Sequence, residues 1–187
     1  WGVDLAHQAS FAYMPYILTG EYYYLEEMMF WAGYDLSWGN AGSDYRQGSR
    51  GIIKEQARGD AWAIRNVADA ANLAPDGFVE KPYFTEKVNN NLTWWASKYI
   101  NNPNFPAIHY WEKTSMTERP DASLAANCIY YTSPWMDDFM LIVLGHLQDI
   151  GFDSRALTNW LGISAINRFT NQDVFPPFRG ADYHIPV

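Results

Sequence analysis

The first polar cluster of the sequence lies in the otherwise apolar segment VDLAHQASFAYMPY, which contains Asp4, His7 and Gln8. In an α-helix, residues at i, i+3 and i+4 share one face. An imidazole beside a carboxylate is the arrangement of a general base with its orienting acid. The structural alternative is an acid that favours the helix dipole next to a buried, satisfied histidine. We predict Asp4 and His7 as catalytic residues and Gln8 as a substrate ligand.

A second acidic pair follows Ser133 and Pro134, which are typical of a helix start. Cleavage of a glycosidic bond needs two carboxyl groups that flank the bond. Adjacent helical residues point about 100° apart, so Asp137 and Asp138 are not themselves such a pair. We predict that one of them works as a catalytic acid or base together with Asp4. The alternative is that both acids only stabilise the first turn of a helix.

A stripe of helix-spaced residues, Arg58, Trp62, Arg65 and Asp69, provides candidate binding groups. The guanidinium fork of Arg58 suits a sugar carboxylate, although a buried salt bridge is the alternative. Trp62 and Trp135 could stack on sugar rings, although packing in the core is the commoner role of a helical tryptophan. For Arg65 and Asp69, four residues apart, we predict a structural ion pair.

Neither a metal nor a cofactor is predicted. His109, His146 and His184 lack ligand spacing to a neighbouring His or Asp, and Cys128 is the single cysteine. The sequence has no phosphate-binding loop, no dinucleotide glycine fingerprint and no Gly-x-Ser-x-Gly elbow.

Helical periodicity runs through almost the whole chain and predicts an all-α fold. We predict a single domain over residues 1–187, built from three αα-hairpins at about 3–35, 52–101 and 133–169. The first helix is predicted over about 3–18, and residues 127–132 are a candidate short strand. The odd-numbered helices each begin with a polar cluster. If these helices point the same way, the polar clusters meet at one rim. A concave rim with polar and aromatic side chains is a candidate ligand-binding site.

Composition narrows the classes of partner. The 187 residues carry a formal net charge of -8, which argues against binding to a nucleic acid. Aromatic residues make up 17% of the chain, and Trp and Tyr suit sugar rings as well as cores. The longest apolar run is too short to span a membrane. Because the sequence begins with Trp1, we expect it to be part of a longer chain.

Three segments carry a resemblance to a known superfamily: DLAHQASFAYMPYILTGEYYYLEEMMFWA, RGDAWAIRNVADAANLAPDG and PWMDDFMLIVLGHLQDIGF. They resemble the (α/α)6 toroid of the six-hairpin glycosidases and of several polysaccharide lyases, and in particular toroid regions of large uncharacterised bacterial proteins. Six hairpins form a complete toroid, so the three counted here imply half of one. Either the missing hairpins lie upstream of Trp1, or the arc is open.

The resemblance implies a carbohydrate-active domain, either a glycoside hydrolase or a polysaccharide lyase. In the hydrolase hypothesis, Asp4 works with Asp137 or Asp138. In the lyase hypothesis, His7 abstracts the proton alpha to a uronate carboxylate that Arg58 or Gln8 neutralises. A carbohydrate function would favour an extracytoplasmic or secreted location. The alternative is a non-catalytic helical scaffold that packs against a protein partner in a larger assembly.

Overall fold

The computed structural model describes residues 3–38, 48–100, 102, 110–111, 114–115, 130–171, 178 and 183–186. The predicted all-α fold is confirmed, because six α-helices dominate this part of the chain. Consecutive helices pack as three pairs with short connections. The helices are α1 (Tyr13–Thr19), α2 (Tyr22–Ser37), α3 (Ala57–Leu73), α4 (Glu80–Tyr99), α5 (Pro134–Asp149) and α6 (Arg155–Thr170).

Short non-α elements complete the described fold. Two 3₁₀ turns cover Leu5–His7 and Gly48–Arg50. Three antiparallel strands, β1 (Thr114–Ser115), β2 (Tyr130–Thr132) and β3 (Ile185–Pro186), form a small sheet with β2 in the middle. The predicted strand is confirmed over Tyr130–Thr132, and residues 127–129 lie outside the described part.

Helix α3 is the centre of the fold. Its alanine-rich sequence gives small side chains that let neighbouring helices approach closely, and it packs against α2, α4, α5 and the first 3₁₀ turn. One apolar core collects residues of that turn and of α2 to α6. Large buried side chains such as Ile64, Trp95 and Leu144 belong to it. No helix of the described residues is long and apolar enough to cross a membrane.

Helices α3 and α5 run parallel. Arg58 lies over Trp135, Trp62 packs on Phe139, and Asp69 contacts His146. In each of these pairs the partners are 77 positions apart, so the two helices keep the same direction and register. The N-terminal segment runs the same way, because Leu5 lies near Gly59 and Ser10 near Asp69. The polar starts of these three segments therefore lie at one end of the fold, in agreement with the predicted common direction.

The predicted helix over 3–18 is wrong in its first half, because α1 begins only at Tyr13. Pro15 has no N–H to donate and its ring clashes with a preceding helical turn, so it is tolerated only in the first turn. Upstream of it the chain forms the 3₁₀ turn and an irregular stretch. As a result His7 is exposed and Gln8 is buried. The prediction that Asp4, His7 and Gln8 share a helical face is therefore a second error.

Helix α3 also begins later than the hairpin boundary at residue 52 suggests. Ile52 and Ile53 are buried in a non-helical segment before it. The side chain of Asn91 in α4 fixes this segment, since its oxygen accepts a hydrogen bond from the Ile53 N–H at 2.8 Å and its nitrogen donates to the Gly51 carbonyl at 2.9 Å.

Candidate functional site

The starts of α3 and α5 meet around a single buried tryptophan. The indole N–H of Trp111 donates to Asp60 Oδ2 at 2.8 Å, and its backbone N–H donates to Asp137 Oδ1 at 3.0 Å. The hydroxyl of Thr132 lies 3.4 Å from the other Asp137 oxygen. Asp137 is only 5% exposed, and burial raises its pKa to about 7. The predicted rim is therefore closed here, and Asp137 acts as a structural acceptor.

The neighbouring acid, Asp138, is half-exposed and forms an ion pair with Arg168 of α6. Asp137 and Asp138 point in different directions, as their helical positions predict. Arg168 is itself buried, so this pair ties α6 to the start of α5. Asp138 is the one of the two acids that solvent can reach.

Asp4 and His7 do form the predicted pair, on the surface. Nδ1 of His7 lies 2.7 Å from Oδ1 of Asp4, and the two side chains are 65% and 43% exposed. The hydroxyl of Tyr34 donates to the Val3 carbonyl at 2.8 Å and holds the start of this segment on α2. Gln8 is absent from this pair and is only 7% exposed. Its backbone carbonyl accepts a hydrogen bond from the side-chain nitrogen of Asn66.

The side chains of Arg58, Trp62 and Trp135 come together on one partly exposed surface with their helical neighbours. The Arg58 guanidinium lies 5.3 Å from the ring centre of Trp135, and Trp62 packs at 4.6 Å on Phe139. We call this surface the α3–α5 face. It consists of Arg58, Trp62 and Arg65 of α3 and Trp135, Phe139, Ile142 and His146 of α5.

A histidine–aspartate pair lies at the far end of the α3–α5 face. Nε2 of His146 is 2.7 Å from Oδ1 of Asp69, while the hydroxyl of Ser10 donates to Oδ2 at 3.2 Å. The predicted Arg65–Asp69 pair is confirmed, with Arg65 Nε at 3.7 Å from Oδ2. The edge of the Tyr13 ring approaches the imidazole, with 6.0 Å between ring centres. Three segments of the fold therefore converge on one carboxyl group, and α1 adds a ring contact to the imidazole.

Asp69 is fully buried, whereas the side chain of His146 remains 24% exposed. Burial raises the pKa of Asp69, and the contacts with His146, Arg65 and Ser10 oppose that increase. A buried carboxylate that holds one ring nitrogen fixes the orientation of an imidazole and leaves the other nitrogen to exchange a proton. The arrangement can therefore perform acid–base chemistry on a ligand lying along the face.

The sequence did not indicate the Asp69–His146 pair. Each residue has a plausible local role, and their separation in the chain hides the contact. The signal that existed was the stripe of α3, which ends at Asp69. No group of three or more His, Cys, Asp or Glu in the described part of the chain could hold a metal ion.

The chain matches no protein family model, and no curated protein or solved structure is significantly similar to it. Function is therefore argued from the site itself.

Proposed function

We propose that this chain is a carbohydrate-active domain that binds a saccharide along the α3–α5 face and acts on it as a glycoside hydrolase or a polysaccharide lyase. One observation carries the proposal: Trp62 and Phe139 lie on the same partly exposed surface as His146, whose imidazole is oriented by the buried carboxylate of Asp69. Flat aromatic rings with polar groups at their edges suit sugar rings, and proton transfer is required in both reactions.

Two arginines add positive charge to the α3–α5 face. Arg58 and Arg65 lie at its two ends, each within 6 Å of a tryptophan ring centre (5.3 Å and 5.9 Å). The Arg65 side chain is 32% exposed, although its Nε faces Asp69. The terminal N–H groups of such guanidinium forks suit the oxygen atoms of a ligand carboxylate.

Within this proposal His146 takes the role of the proton-transferring group, and Asp138 and the exposed His7–Asp4 pair supply further acid–base groups. The burial of Asp137 and Gln8 favours structural roles for both residues. We further propose that the three hairpins form half of an (α/α)6 toroid. The parallel course of α3 and α5, with α4 and α6 behind them, supports that architecture.

Removal of one ring tests the proposal. Wild-type protein should bind at least one of a set of soluble polysaccharides (xylan, mannan, polygalacturonate, alginate, hyaluronan) in calorimetry. Trp62→Ala should weaken that binding at least tenfold, or about 1.4 kcal/mol. Tyr83→Ala, which removes an exposed ring from α4, is the matched control and should bind like wild type. Equal affinity of Trp62→Ala and wild type would refute the α3–α5 face as the binding surface.

Chemistry is tested separately from binding. His146→Gln should retain saccharide binding but lose the release of reducing ends or unsaturated sugars that wild type shows. Binding without cleavage by wild type would reduce the proposal to a binding module.

A second candidate function is the helical scaffold. Apolar side chains on one face of α6 are strongly exposed, with Ile166 and Phe169 at 61% and 60%. Exposed apolar patches commonly mark protein interfaces. If this surface supports assembly, Ile166→Asp with Phe169→Asp should abolish self-association in sedimentation velocity and leave saccharide binding unchanged. A monomeric wild type at high concentration would remove the support for self-assembly.

A further inference from the structure

The contact between α2 and α3 contains a carboxyl group and an amide that each leave one oxygen without a partner. Asp35 of α2 is 1% exposed and Asn66 of α3 is 3% exposed. The amide nitrogen of Asn66 donates to Asp35 Oδ2 at 2.8 Å and to the Gln8 carbonyl at 3.2 Å. Oδ1 of Asp35 and Oδ1 of Asn66 are both buried, and neither has a hydrogen-bond partner among the described residues.

This pair has too few hydrogen-bond donors for its acceptors. A primary amide has two N–H donors and one carbonyl oxygen, and an ionised carboxylate has acceptors only. Both Asn66 donors are used, so two acceptor oxygens remain on side chains that are already bonded to each other. Buried acceptors without donors cost free energy, and two acceptors cannot satisfy one another. A single hydrogen placed between them would satisfy both.

We propose that Asp35 is a protonated carboxylic acid in the folded protein and that its hydroxyl donates to the side-chain oxygen of Asn66. The acid and the amide then form a closed pair of two hydrogen bonds. Loss of the proton at higher pH turns one of these bonds into a contact between two acceptors. This makes the α2–α3 contact sensitive to pH, independently of the proposed carbohydrate function.

The surroundings of Asp35 agree with this state. Burial raises the pKa of Asp35 to about 7, opposed by the Asn66 hydrogen bond. Tyr34 is the neighbour of Asp35 in α2. The elements packed around this contact carry Arg65 and Asp69 of α3, Asp4 and His7 of the N-terminal segment, and Tyr13 and Tyr16 of α1. None of these groups contributes to the shift of Asp35.

The contact is connected to the N-terminal segment that borders the α3–α5 face. The same Asn66 nitrogen that donates to Asp35 also donates to the backbone carbonyl of Gln8. Two residues further along the chain, the hydroxyl of Ser10 donates to Asp69. We therefore expect deprotonation of Asp35 to loosen the 8–10 stretch before it affects the remainder of the core.

The sign of the pH dependence follows from linkage. A raised pKa means that the folded chain binds the proton more tightly than the unfolded chain. Between about pH 4 and pH 7, unfolding therefore releases a proton, and the folding equilibrium constant falls up to tenfold per pH unit. Below this range both states are protonated, and above it both are ionised, so the contribution of Asp35 becomes constant.

The test uses Asp35→Asn, whose amide can donate to Asn66 at every pH. Urea unfolding of wild type and Asp35→Asn is compared between pH 4.5 and 8.5. The ratio of the wild-type to the variant folding constant should fall about a hundredfold between pH 4.5 and 7 and then level off. Leu36→Ala is the control, because it destabilises the same helix without removing a titratable group. Its ratio to wild type should not change with pH.

A ratio for Asp35→Asn that is independent of pH would overturn the proposal. It would indicate an ionised Asp35 whose free oxygens are satisfied by a water molecule. A cavity of about 10 Å³ beside Asn66, Ser10 and Trp31 has room for one. If Asp35→Asn does not fold, the NMR chemical shift of the assigned Asp35 carboxyl carbon in the wild-type protein shows whether this acid is protonated. At pH 6 it should keep the chemical shift of a protonated acid, and the shift of an ionised acid there would refute the proposal.

Discussion

At the scale of single residues, Asp69 depends on the groups around it. It is fully buried, so removing a partner leaves part of a carboxylate unsatisfied. We expect His146→Ala to lower the free energy of unfolding by about 2–3 kcal/mol, and Ser10→Ala by about 1 kcal/mol, because the hydroxyl bond is longer and less of the side chain is lost. Urea unfolding at pH 7 measures both. A larger loss for Ser10→Ala would contradict this ranking.

Two neighbouring tryptophans allow a matched test of the closed rim. Trp111 and Trp95 are equally buried and their ring centres are 5.0 Å apart. The indole N–H of Trp111 donates to Asp60, whereas that of Trp95 is buried without a partner among the described residues. Replacement by Phe removes the same volume from each. Trp111→Phe should therefore cost about 1–3 kcal/mol more than Trp95→Phe in urea unfolding. Equal losses would argue against a structural role of the Asp60 contact.

Sequence patterns predicted side-chain contacts correctly only where the partners are close in the chain. The Asp4–His7 and Arg65–Asp69 contacts are separated by three and four positions, and the structure contains both. Asp69 and His146 are 77 positions apart, so no local spacing pointed to their contact. The burial of Asp137 depends on Trp111, which lies in a segment without periodicity.

At the scale of elements, most of the helices could be predicted because apolar periodicity and caps determine them. The predicted hairpin limits at 35, 101, 133 and 169 lie within two residues of the end of α2, the end of α4, the start of α5 and the end of α6. The prediction of the first helix was wrong before Tyr13 because Pro15 must lie in the first turn of a helix, whatever the spacing of the residues before it. The helix prediction failed for residues 52–56 because Ile52 and Ile53 are as apolar as helix residues, whereas Asn91 holds them in a non-helical segment.

Helix α5 contains a glycine that the fold does not require. Gly145 lies inside the helix, and an added Cβ would meet no atom within 4 Å. Gly145→Ala should raise the free energy of unfolding by about 0.5–1 kcal/mol, since alanine is the better helix former. Gly20 is the control, because it ends α1 with a φ of +66°. Gly20→Ala should lower stability by about 1 kcal/mol. Thermal unfolding of both variants measures the difference, and a destabilised Gly145→Ala would contradict it.

At the scale of the whole molecule, three parallel segments create surfaces that no single helix contains. Helices α3 and α5 bring their starts together at Trp111, and the N-terminal segment joins their later residues at Asp69. The first of these meeting points is closed and the second is partly exposed. A common rim was expected from the sequence if the three segments point the same way, which they do. The sequence could not indicate which meeting point stays open, because that depends on how Trp111 fills the space.

The buried acids make the stability of the whole chain fall as pH rises. The pKa values of Asp35 and Asp137 are raised to about 7, and that of Asp69 is raised as well. Folding therefore binds protons between about pH 4 and 7, and the loss of these protons destabilises the folded state. We expect the free energy of unfolding to fall by about 5 kcal/mol from pH 5 to pH 8, or about 10–20 °C in Tm. Circular dichroism melts at constant ionic strength measure this change. The double variant Asp35→Asn with Asp137→Asn should show a much smaller decrease, and a wild type whose stability rises over this range would contradict the argument.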